Sequence, residues 1–148
     1  MELPSSLRTW FVAHSVIDGT VAIPLLVAPT MVLQPLGWTV VDPVATRLVG
    51  AALLAIGLQS FFGRNEGFET YRAMLRLKVI WSMTAVGGLL AGIAGGAPPA
   101  TWAFLAIFLS FLGVWSHYAI RLKQLAAAPP DEDDGGDDQA APEDSASI

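Results

Sequence analysis

Between residues 7 and 33 the chain has only two formally charged side chains, Arg8 and Asp18, in a stretch otherwise rich in Leu, Val, Ile, Ala, Phe and Trp. A bilayer core about 30 Å thick is crossed by about 20 consecutive apolar residues in a helix. Three further apolar runs follow, at residues 44–62, 73–95 and 101–120, separated by short polar or Pro/Gly-containing segments. The pattern predicts four membrane-spanning helices, the first over 7–32. Connections this short place successive helices antiparallel, so the expected fold is all-α: an integral membrane four-helix bundle running up-down-up-down.

Charge divides the chain in two. Residues 1–128 hold eight Lys and Arg against five acids, whereas residues 129–148 hold eight acids and no base. The first part is read as the transmembrane domain and the second as a disordered acidic tail, because dense like charge without apolar residues cannot form a core. The lack of cysteine excludes disulfides, thiolate metal sites and cysteine nucleophiles. Ala28-Pro29-Thr30 makes a poor signal-peptide cleavage site, so the first helix is expected to be retained. Pro24 and Pro29 are expected to bend its outer half, and Asp42-Pro43 reads as the start signal of the second.

Basic residues fix an orientation. Arg8, Arg64, Arg72, Arg76, Lys78, Arg121 and Lys123 fall at or near one end of the four runs and only Arg47 at the other. Seven against one places both termini in the cytoplasm by the positive-inside rule. Trp102 at one boundary of the fourth span, with Trp115 and Tyr118 near the other, reads as an aromatic belt.

Within this frame the polar residues concentrate in the cytoplasmic half. His14 and Asp18, four apart, share one face of the first helix. Gln59 lies near the end of the second span, Lys78 six residues past Arg72, and His117 four before Arg121. Ser82 shares a face with Lys78, and Ser110 a stripe with Ala106, Gly113 and His117. Ionisable groups in lipid are costly and face a bundle interior or a wet cavity, so two arrangements fit. His14, Asp18, Gln59, Lys78, Ser82, Ser110 and His117 line a cavity open to the cytoplasm, or Asp18 pairs with Lys78 or His14 and the rest hydrogen-bond between helices. No HxxxH or ExxH spacing is present, so neither a metal nor another cofactor is expected, and Ser15 beside His14 points to a different helix face.

Small residues mark where helices approach. Gly50 and Gly57 in the second span, and Gly88 and Gly92 in the third, are the expected packing positions. The segment Arg47-Leu48-Val49-Gly50 through Gly57 resembles helix openings in small four-span prokaryotic membrane proteins of the DoxX-like kind. The acid-rich, lysine-poor tail is similar to segments of extreme halophiles, which would fit a haloarchaeal source. The expected partners are membrane lipids, met by the basic rim through anionic headgroups, together with a second copy or a larger membrane complex; no nucleic-acid partner is expected. Three function classes remain open. They are a structural or accessory subunit that associates through its small-residue faces, a binder or carrier of a small hydrophobic or weakly acidic molecule, and an intramembrane enzyme using His14 and Asp18.

Overall fold

The computed structural model describes residues 4–127; the acidic segment 129–148 lies outside the described residues. The chain forms a long helix α1 (Ser5–Val27), a short α2 (Pro29–Leu33), then α3 (Pro43–Phe62), α4 (Phe68–Ala94) and α5 (Ala100–Ala127). All but α2 are long and apolar enough to cross a membrane. Val16, Ile23, Val27, Leu48, Ile80 and Met83 are all more than half exposed on their surfaces. An apolar coat of this extent is a liability in water and the normal state of a surface facing lipid. The protein is an all-α, multi-pass membrane bundle.

Its first helix is shorter than expected. Pro24 is accommodated inside α1, but Pro29 ends the helix instead of bending it. The residue before a proline is pushed out of helical geometry. Ala28 accordingly sits at φ −137° and ψ 62°, its N–H still bonded to the carbonyl of Pro24 at 2.9 Å, and α2 restarts with Pro29 at its first position. Arg47 Nε, from α3, donates to the Leu26 carbonyl in the last turn of α1 at 3.0 Å. A cation there satisfies a carbonyl left over at the helix end. At the start of α3, the Asp42 carboxylate accepts from the N–H groups of Val44 and Ala45 at 2.8 and 3.2 Å, with Pro43 in the first helical position. At the other end of the molecule α5 continues to Ala127, past the expected span end at 120, because Arg121, Leu122, Lys123 and Gln124 are good helix formers.

Backbones come closest within two pairs, α1 with α3 and α4 with α5. Gly50 and Gly57 set the first pair. A side chain at Gly50 would lie 3.1 Å from the Ala22 carbonyl, and one at Gly57 2.8 Å from Asp18 Cβ. Between the pairs, large side chains fill the gap at the end carrying the chain's amino terminus, here called the basic end. Leu7 and Phe11 of α1 meet Tyr71, Met74 and Leu75 of α4 and Trp115, Tyr118 and Leu122 of α5 in one buried cluster. Tyr118 donates to Ser6 Oγ at 3.0 Å and Tyr71 to the Arg64 carbonyl at 2.6 Å, tying α5 to the start of α1 and α4 to the preceding turn. At the far end the two loops touch. Gly37, at φ +102°, packs so closely on Pro98 that an added Cβ would come within 2.9 Å, and Trp38 lies 6.0 Å from Phe104 between ring centroids.

Candidate functional site

One face of α1 points His14 and Asp18 at α4, where Lys78 is buried at the matching depth. His14 and Asp18 are each 5% exposed and Lys78 is 2% exposed. Lys78 Nζ lies 3.0 Å from His14 Nδ1, and His14 Nδ1 lies 2.9 Å from Asp18 Oδ2. At about 1.5 Å of rise per residue, Asp18 sits roughly 20 Å from the start of α1, just past the middle of the helix. The His14 and Lys78 ends of the cluster are walled by rings. His14 meets Phe111 and Trp115 edge-on at 4.6 and 5.0 Å, and Lys78 Nζ lies 5.1 Å from the Phe11 centroid and 4.7 Å from that of Trp115. An ammonium held over aromatic faces in a desolvated site is stabilised by the ring quadrupoles. From α3, Gly57 closes over Asp18.

The contacts at His14 Nδ1 define the chemistry. That nitrogen carries either one proton or one lone pair, so it can donate to Asp18 or accept from Lys78, but not both. The 2.9 Å contact to Asp18 is close yet not directed as a hydrogen bond, and Asp18 Oδ2 is buried with no directed partner. As an accepting imidazole the ring bonds Lys78, and Asp18 Oδ2 then receives no hydrogen bond from it. Moving one proton to Nδ1 would convert it to the opposite arrangement, an imidazolium donating to Asp18.

Of the seven residues expected to group together, the structure brings His14, Asp18 and Lys78 into contact and buries Ser82 one turn further along α4. It places three elsewhere. Gln59 is exposed, reaching only as far as Met74 Sδ at 3.9 Å; Ser110 is exposed and bonds back to the Ala106 carbonyl; His117 is exposed beside Tyr118. For Ser110 and His117 the cause is the rotation of α5. Its buried face is Thr101, Leu105, Trp115, Tyr118 and Leu122, so the stripe of Ala106, Ser110, Gly113 and His117 looks outward.

Trp115 is correspondingly no belt residue but a fully buried wall of the cluster. The signal that could have found it is the three-to-four spacing of Leu105, Phe108, Phe111, Trp115, Tyr118 and Leu122, the pattern of an inward helical face. Nor does the cluster line either of two clefts on the surface, one between α4 and α5 at the basic end and one beside Arg8 on α1. Among the described residues no three His, Asp or Glu side chains converge as a metal site would need.

Fold and site together define a small polytopic membrane protein with a closed, buried ionisable triad at its centre. Comparisons with protein families, with curated proteins and with solved structures find no match for this chain.

Proposed function

We propose that the protein is a structural membrane subunit that self-associates, with the outer half of α4 as the surface that meets a second copy. The observation carrying this reading is a contrast among glycines. Gly50 and Gly57 are pressed against α1, whereas side chains built at Gly87, Gly88 and Gly113 would meet no atom of the protein within 4 Å. Gly92, the other expected packing glycine of α4, has only Ala97 nearby, at 3.7 Å. Gly87 and Ala91, like Thr84 and Gly88, are four apart on exposed surface, a small-xxx-small arrangement that lets a neighbouring backbone come close in lipid. A self-complementary strip of this kind suits a two-fold dimer.

Sedimentation or native mass measurement in mild detergent is expected to show a dimer or higher species, lost in Gly88→Leu and kept in Gly88→Ala. Monomer alone for the wild-type protein would rule out self-association. The same open face would then serve a larger complex.

A second reading has one observation in its favour. The triad leaves Asp18 Oδ2 without a directed bond and gives Nδ1 two competing neighbours, as a site that exchanges a proton or a weak acid would. Co-purification of a small acid that Asp18→Asn abolishes, with the dimer intact, would favour a binder or carrier.

The orientation follows from the bases: both termini lie in the cytoplasm. Reporter fusions after Gly37, Gly67, Ala97 and Lys123 should read outside, inside, outside, inside, and any other order would overturn the assignment.

A further inference from the structure

At the basic end a cleft of about 170 Å³ lies between α4 and α5, lined by Arg72, Leu75 and Arg76 on one helix and Ala119, Leu122 and Lys123 on the other. We propose that this cleft is a binding site for the headgroup phosphate of an anionic phospholipid. The site does not depend on the self-association proposed above, which uses the opposite end of α4.

Three cations contributed by two helices converge on it, and no acid is among the residues that line it. Arg72 also reaches Glu69 at 3.6 Å, but that pair is largely exposed, while Arg76 and Lys123 are exposed at the rim. A guanidinium presents paired donors that match two phosphate oxygens, and a lysine adds a point charge from the opposite wall. The level is also right. Arg72 and Arg76 fall in the first turns of α4, which begins at Phe68, and Lys123 in the last described turns of α5, Ala100–Ala127. Those turns lie where a helix leaves the hydrocarbon for the headgroup layer.

Leu75 and Leu122, each 1% exposed, form an apolar floor, and Ala119 leaves room above it. A free inorganic anion has no use for that floor, whereas the glycerol and first methylenes of a lipid would cover it. The volume of about 170 Å³ is several times the roughly 30 Å³ share of a water molecule, enough for a phosphate group but not for a whole lipid. The acyl chains therefore lie outside the cleft, along the bundle.

The test reconstitutes the full chain with an equal mixture of phosphatidylglycerol and phosphatidylcholine and measures by mass spectrometry the lipid that stays bound on extraction. Phosphatidylglycerol is expected to be enriched several-fold over phosphatidylcholine. Arg76→Gln/Lys123→Gln should bring the ratio back to that of the mixture. Arg8→Gln/Arg121→Gln, which removes the same charge at the same end but outside the cleft, should leave the enrichment unchanged, and unfolding midpoints should match for both. Equal loss in the two double variants would show a diffuse charge effect and overturn the site. So would displacement of the lipid by inorganic phosphate. Enrichment seen only after removal of residues 129–148 would assign the cleft to the chain's own carboxylates and equally overturn the proposal.

Discussion

Asp18→Leu is expected to destabilise the bundle by about 3–5 kcal/mol, the usual consequence of leaving a buried charge without a compensating one, since Asp18 is the carboxylate that reaches Lys78 through their shared neighbour His14. The stranded group is Lys78, 2% exposed, which keeps only the His14 imidazole and two aromatic faces around its ammonium. Lys78→Met should be milder. With the ammonium gone, His14 Nδ1 is free to take a proton and donate to Asp18, so the remaining pair still satisfies itself. The double variant Asp18→Leu/Lys78→Met should recover most of the loss, because no uncompensated charge is left. Asp18→Asn keeps a hydrogen-bonding group in place and is expected to cost about 1 kcal/mol. Thermal unfolding followed by circular dichroism in detergent orders the four proteins. Wild-type stability for Asp18→Leu would mean that the triad does not hold the bundle together.

A comparable effect is expected at Gly57, for a steric reason. A single added Cβ there would lie 2.8 Å from Asp18 Cβ and 3.4 Å from the Ser15 carbonyl. Both belong to or adjoin the α1 backbone, so neither can swing aside, and α1 and α3 must separate. Gly57→Ala should cost about 1–3 kcal/mol, as overpacking usually does, and Gly57→Leu more. Gly63 provides the control for proximity alone. Its Cβ would meet Met74 Sδ and Cε at 2.7 and 2.8 Å, the far end of a flexible side chain that can move away. Gly88→Ala meets nothing within the chain and should leave the unfolding midpoint of the monomer unchanged. A midpoint for Gly57→Ala equal to that of Gly88→Ala would contradict the close approach of α1 and α3.

The two predictions draw on residues whose legibility differed. His14 and Asp18 could be paired from sequence because a four-residue spacing is a local property of any helix. Lys78 could be matched to them in depth by counting from the membrane boundary, since rise per residue is fixed. Helix rotation is not local. In a soluble helix the inward face announces itself by being apolar among polar neighbours, but in lipid the outward face is just as apolar. The polar stripe of α5 thus pointed to the interior when followed by chemistry, and Ser110 and His117 nevertheless face outward while Trp115 turns in. The same loss of contrast affected α4. Lys78 and Ser82 are buried, but Gly88, expected as a packing position of the same helix, lies on open surface because the steps from 78 to 88 carry it about 80° around the helix at 3.6 residues per turn.

By itself the sequence determined the number of spanning helices, their alternation and the cap of α3 at Asp42-Pro43. It also placed the ionisable pair His14 and Asp18 on one face of the first spanning helix. Each of these depends on run length, turn chemistry or helical repeat, which a chain carries without reference to its partners. Only the tertiary structure decided that Pro29 ends α1 where Pro24 does not, that Gly57 rather than Gly88 packs within the bundle, and that the triad is closed behind Phe11, Phe111 and Trp115. Those outcomes depend on which faces meet. In a medium as apolar as the protein's own surface, faces are selected by the fit of large and small side chains across neighbouring helices rather than by hydropathy along any one of them.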